Sequence, residues 1–355
     1  MRQPKFFSFF KFIIFILILA LAIGLFAYFW NINSPAGSVK QVEFTVTPGD
    51  SVKIIGGKLL AAGLIKSEFF FEVYVWQAKK GSSFQAGTYE LSPTMTVKQI
   101  VLQLAAGETI SREREITIIP GWTLRDIAAY LAQEHLASST EFYQLAGEPL
   151  KDYAKAKAAD LPFDFSADFS ILADKPKNFG LEGYLFPDTY RIFSDATARD
   201  IIEKMLSNLD GKLDPALRQE INRQHKTIYE IITMASIIEK EVKTEADMKI
   251  VSDIFWGRLA AGQALGSDAT LSYALGENKA AHTLAETKIN SPYNTYRFAG
   301  LPPGPICNPS LVAIKAAIYP TPTDDNYFLT RPDTGETVFA KTLEEQNYNK
   351  QKYLK

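Results

Sequence analysis

Nineteen consecutive residues without a charge, Phe12 to Trp30 (FIIFILILALAIGLFAYFW), set the surroundings in which the rest of the chain must fold. As a helix rising 1.5 Å per residue they span about 28 Å, close to the ~30 Å hydrocarbon core of a bilayer. A helix on a soluble core carries a polar stripe, and this segment has none. Arg2, Lys5 and Lys11 precede it, and the next charge is Lys40. The bias predicts a cytoplasmic tail at 1–11, one transmembrane helix at 12–30, and an outward-facing remainder. Tyr28 and Trp30 fall where an interfacial aromatic belt forms. A cleaved signal peptide is the competing reading. Its apolar region runs about 7–15 residues before a small-x-small site, whereas this one is longer and ends in bulky AYFW.

Composition narrows the rest. With 46% hydrophobic and 22% charged residues over 355 positions, the chain has ample material for a core. Lys and Arg total 38 against 40 Asp and Glu, so no basic field attracts nucleic acid. The single cysteine, Cys307, excludes an intramolecular disulfide and a thiolate-rich metal site. His135, His225 and His282 lie far apart, without metal-ligand spacing. Neither a metal nor an organic cofactor is expected.

After a polar linker at 31–40, one pattern occurs twice. FTVTPGDSVKII at 44–55 and ITIIPGWTLRDI at 116–127 each read as strand, Pro-Gly turn and amphipathic helix, with Ser51 or Thr123 near the helix start. A weaker echo occupies 89–100. Such β-α units resemble LysM-like modules, which grip glycans, so 41–110 is expected to be a LysM-like domain and 111–355 a second, catalytic one. The aromatics Phe69–Phe71 and Tyr74 suit sugar stacking or core filling alike. The stretch 137–180 reads as irregular. Long helical patterns follow at 196–209, 227–243 and 245–261, then a hairpin at 326–340 turning on PDTG. Strands and helices fall in separate blocks, which predicts an α+β class.

The helix 227–243 (TIYEIITMASIIEKEVK) carries the most chemistry. Thr227 and Glu230 make a capping box. Ile228, Ile231, Ile232, Met234, Ala235, Ile238 and Val242 fall on one face, predicted to be core. Glu239 projects into that apolar sector, and Glu241 falls at its edge. A carboxyl walled by apolar groups has a raised pKa and can act as a general acid. Periodicity alone does not choose between the two glutamates.

A longer set of segments does choose. Met234-Ala-Ser-Ile-Ile-Glu-Lys-Glu241, Ser267-Asp-Ala-Thr270, Ser291-Pro-Tyr-Asn-Thr-Tyr296, Gly300-Leu-Pro-Pro-Gly-Pro-Ile306 and, upstream, Glu182-Gly-Tyr-Leu-Phe-Pro-Asp-Thr-Tyr190 stand in one order. In that order the chain resembles the MltG-type (YceG-like) endolytic transglycosylases over nearly its whole length. The resemblance implies that Glu241 is the catalytic acid. Glu239, Asp268, Thr270, Tyr293, Asn294 and Tyr296 become candidates for binding substrate or supporting the acid. The chain departs from the family pattern at Gly266 and Ala269, where Gln and Pro are usual, and at Thr337 and Gln346, where histidines are common.

What the resemblance implies is cutting of the β-1,4 bond between N-acetylmuramic acid and N-acetylglucosamine within peptidoglycan strands, leaving 1,6-anhydro ends. Peptidoglycan synthases would be partners and a bacterial inner membrane the location. Two other readings stay open at this point. One is a glycan-binding scaffold without activity. The other is a water-using muramidase with a second carboxylate among Glu182, Asp188 and Asp268.

Overall fold

A computed structural model describes residues 5–37, 40–107, 109, 113–277, 279 and 282–354. The chain divides into two compact units, Met1–Arg112 and Glu113–Lys355. Each mixes helices with antiparallel strand pairs, so the class is α+β.

The first unit contains α1 (Lys5–Asn33), β1 (Val42–Val46), α2 (Val52–Ala61), α3 (Glu68–Gln77), β2 (Gly87–Leu91) and α4 (Val97–Ala106). Strands β1 and β2 pair with Phe44 opposite Tyr89. Alternation turns Phe44, Val46, Tyr89 and Leu91 inward, onto Ile55 and Leu59 of α2, Phe71 and Val75 of α3, and Ile100 and Leu104 of α4. Gly49 supplies the left-handed turn (φ +91°) between β1 and α2, and Ser51 then caps α2 by accepting from the Ile54 N–H at 3.3 Å.

The apolar helix is longer than the sequence reading. Its candidate span runs from Phe9 to Asn33, and residues 32–37 of the segment read as a linker are tied to the first unit. Ile32 is buried in the first unit's core, and the N–H groups of Ala36 and Gly37 donate to the Pro93 carbonyl at 2.8 and 3.0 Å. A buried isoleucine and two backbone bonds hold helical geometry past the last aromatic.

The second unit contains β3 (Glu113–Thr117), α5 (Leu124–Gln133), α6 (Ser139–Ala146), β4 (Thr189–Phe193), α7 (Ala198–Lys212), α8 (Pro215–Arg223), α9 (Ile228–Glu241), α10 (Glu245–Ala260), α11 (Asp268–Leu275), α12 (Leu311–Ile318), β5 (Tyr327–Thr330), β6 (Thr337–Ala340) and α13 (Leu343–Tyr353). Strand β3 pairs with β4, and β5 with β6. Helix α6 lies in the stretch read as irregular. It is a short helix with only Phe142 and Ala146 buried, too little to register as a period.

Helix α9 is the centre of this unit. The sequence predicted one buried face, but every residue from Ile231 to Ile238 is buried, Thr233 and Ser236 included. The two hydroxyls are tolerated because they bond locally. Thr233 donates to the Tyr229 carbonyl, while Ser236 donates to the Thr233 carbonyl and accepts from the Ile306 N–H. Helix α12, with Ala313, Ala316 and Ala317 fully buried, packs along α9. A helix enclosed on all sides delivers its last residue to a fixed place. That residue is Glu241.

Candidate active site

Helix α9 ends where Val242 turns extended (φ −141°), and the Glu241 side chain meets the start of α11. Ser267 occupies the N-cap position of α11 without capping its own helix. Its hydroxyl instead donates to Glu241 Oε1, and the Ala269 N–H donates to the same carboxyl. A carboxylate from another helix thus satisfies donors that α11 leaves open at its N-terminus.

Burial raises the pKa of Glu241 above the usual carboxylate range. The Ser267 bond works against that rise, Asp268 adds to it, and the Ala269 N–H and the Arg258 guanidinium oppose it; the net direction is upward. Arg258 is held there by donating to the carbonyls of Leu265 at 2.5 Å and Asn326 at 2.6 Å. Burial and Asp268 thus favour the protonated carboxyl, while Ser267, Ala269 and Arg258 support the ionised one. That is the requirement for a group serving as acid and then as base.

Around it, the loops before and after residue 290 are laced together. Gly266 N–H donates to the Thr295 carbonyl and Ser267 N–H to Thr295 Oγ1, both at 3.0 Å. Thr270 donates to the Ser267 carbonyl and shares a 2.8 Å bond with Thr295. The Tyr296 hydroxyl donates to Asp268 Oδ1 at 2.8 Å, and the residue is 41% exposed. Asp268 and Tyr296 therefore stand beside Glu241, with Thr270 buried beneath them.

Three candidates fall elsewhere. Asn294 is fully buried, and its amide donates to the carbonyls of Thr287 and Ile289 while accepting from the Tyr296 N–H. No part of it is left for a sugar; it shapes the loop. Tyr293 is buried with its ring 5.2 Å from that of Tyr273, which makes it packing and not a stacking platform. Glu239 accepts from the Ser310 N–H at 2.9 Å and its hydroxyl at 2.6 Å, joining α9 to the start of α12.

Of the possible second carboxylates, Asp188 bonds Asn208 and the Thr189 N–H. Glu182 is buried, with its pKa pushed up to about 8 by burial. It accepts from the Leu124 N–H at 3.0 Å, the Tyr273 hydroxyl at 2.9 Å and Asn308 at 3.4 Å. Of these three carboxylates, only Asp268 acts directly on Glu241.

Sequence reasoning missed Arg258 and the hydroxyl of Ser267. Nothing in the helix FWGRLA marks its arginine, whereas Ser267 stood in a quoted segment beside the residue chosen from it. Thr337 and Gln346, read as departures from the family pattern, both have defined partners. Thr337 pairs with Thr330, whose hydroxyl donates to the Glu241 carbonyl at 3.4 Å. Gln346 is buried and donates to the Phe328 carbonyl at 2.9 Å.

Ser267→Ala removes a donor that favours the ionised form of Glu241, so the pKa of Glu241 rises further. A general acid works while protonated, so the alkaline limb of a pH–rate profile is expected to move to higher pH. An unmoved limb would show that Ser267 does not tune the acid.

The residues 44–352 match the family model described as the YceG-like family. The chain is 34% identical to the endolytic murein transglycosylase of Bacillus subtilis, over 93% of this chain and 90% of that one. It is 32% identical to the endolytic murein transglycosylase of Streptococcus pneumoniae, covering 96% of this chain but 64% of the longer relative. A crystal structure of a YceG-like protein from Listeria monocytogenes superposes with a TM-score of 0.56 at 33% identity, over 88% of this chain and 99% of that one. The chain belongs to the YceG-like family.

Proposed function

We infer that this protein is a membrane-anchored endolytic peptidoglycan transglycosylase, with Glu241 as its catalytic acid and base. The observation that carries the reading is Glu241 itself, a carboxyl of raised pKa seated against the N-terminus of α11, in a chain whose relatives bear that activity in their names. As an acid, Glu241 protonates the oxygen leaving N-acetylmuramic acid while positive charge develops at the anomeric carbon. The substrate's own acetamido oxygen stabilises that charge. The resulting carboxylate, hydrogen-bonded by Ser267 and Ala269 and favoured by the charge of Arg258, then takes the proton of the C6 hydroxyl, and the 1,6-anhydro ring closes. Tyr296, an exposed residue steadied through Asp268, offers its ring to a sugar.

The anchor is α1, with residues 1–11 cytoplasmic, the remainder outside, and a bacterial inner membrane as the location. Residues 41–110 serve as a LysM-like glycan grip and 111–355 as the catalytic domain, placed near peptidoglycan synthases that supply nascent strands. In this reading internal cutting ends strand growth.

One observation favours a second chemistry. Asp268 lies near enough to Glu241 to influence its proton, and a hydrolase uses such a second carboxylate. Mass analysis of purified sacculi digested by the full-length protein separates the two. Anhydro ends are expected; reducing ends would establish the hydrolase, and no new ends would leave a scaffold. Deleting 41–110 should weaken sacculus binding without changing the product, and protease added outside spheroplasts should degrade the chain.

A further inference from the structure

We propose that α3 is a second membrane contact, seating the first unit on the leaflet from which α1 emerges. The proposal rests on the reading of α1 as a bilayer span. Near its outer end α1 packs against α3 and α4. The Tyr28 hydroxyl donates to Gln77 Oε1, and its ring lies 6.2 Å from that of Phe70. Lys66, just before α3, places its ammonium 5.4 Å from the centre of the Trp30 ring. These contacts put α3 at the depth of the aromatic belt, where headgroups meet acyl chains.

The surface of α3 suits that depth. Phe71 and Val75 face the core, while Phe70, Tyr74 and Gln77 lie toward α1. What remains is a third side. Phe69 and Trp76, seven residues apart and so only about 20° apart around the helix, are 67% and 80% exposed. Glu72 and Val73 both lie between them along the helix, one to each side, and Lys79 is exposed just past the helix end. A protein surface in water rarely presents a tryptophan so fully beside a phenylalanine, whereas tryptophan is enriched where headgroups meet acyl chains. Outside α1, the other exposed large apolar side chains of this unit among the described residues are Leu102 of α4 and Ile54 and Leu60 of α2, which is not among the helices packed on α1 in this way. The occupant of the α3 face is therefore the bilayer itself.

Site-directed spin labelling of the full chain in phospholipid nanodiscs tests this. Cys307 is fully buried and makes a poor labelling target, so single cysteines can be introduced by Trp76→Cys, Phe69→Cys, Leu21→Cys and Ile54→Cys. Labels at 69 and 76 are expected to favour oxygen over a water-soluble nickel chelate as collision partner, in the direction of the label at 21. The label at 54 is expected to favour the chelate. If 21 reads as lipid and both 69 and 76 read as water, the α3 contact is overturned while the anchor stands. If 21 also reads as water, the anchor itself fails and the proposal with it. Circular dichroism of each labelled chain confirms that the helices persist.

Discussion

Glu241→Gln is expected to leave a folded protein that no longer releases anhydro products. Glutamine keeps the size of the side chain and can still accept from Ser267 and Ala269, so the junction of α9 with α11 survives. It cannot give or take a proton. General acid–base catalysis contributes roughly 10²–10⁴-fold, and one group acting in both steps should cost at least the upper end of that range. The buried carboxyl has no need of its charge for folding, because burial already disfavours the ionised form, so the melting temperature should hold or rise. Product analysis by mass spectrometry and thermal unfolding of the same preparation decide the matter. A folded variant with robust turnover would move the chemistry to another residue. Glu239→Gln provides the contrast, since Glu239 bonds the start of α12 and its loss should register in stability before activity.

Gly183→Ala is expected to destabilise the second unit strongly. Gly183 sits at φ +88°, where a side chain costs about 1–2 kcal/mol. An added Cβ would also lie 2.5 Å from the ring of Pro305 and 2.8 Å from Ile232 of α9. Overpacking of a fixed core costs a further ~1–3 kcal/mol. Together these predict about 2–5 kcal/mol, a fall in melting temperature of roughly 4–20 °C for a unit of this size. Thermal unfolding followed by circular dichroism measures it, and an unchanged midpoint would mean that Pro305 and Ile232 give way freely. The close approach explains why glycine stands between Glu182 and Tyr184.

Helix α9 shows where sequence reading reaches and where it stops. The start of α9 was legible because Thr227 and Glu230 are three residues apart, and the β5–β6 turn because PDTG is local. The sequence suggested that Glu239 and Glu241 differ in environment, since their directions follow from helix geometry. The reason for the difference lies 26 residues away for Glu241, in Ser267, and 71 away for Glu239, in Ser310. No period spans such gaps. For a related cause the sequence could not say whether Asn294 contacts substrate or supports the site: an amide in a polar loop looks available until the carbonyls of Thr287 and Ile289 are found on it. Arg258 left no trace at all, because a lone arginine near a helix end is ordinary on any surface.

The join between α1 and the first unit has a mechanical consequence. The uncharged stretch 12–30 measures about 28 Å along its axis, so a bilayer whose hydrocarbon departs from the usual ~30 Å is mismatched to it. Helices relieve such a mismatch by tilting, by an amount that follows the thickness of the lipid. With Ile32 locked into the core and Ala36 and Gly37 fastened to Pro93, there is no swivel to absorb the lean. Thicker membranes would stand the first unit upright and thinner ones would lay it over, so lipid composition becomes a setting for the attitude of everything built directly on that helix.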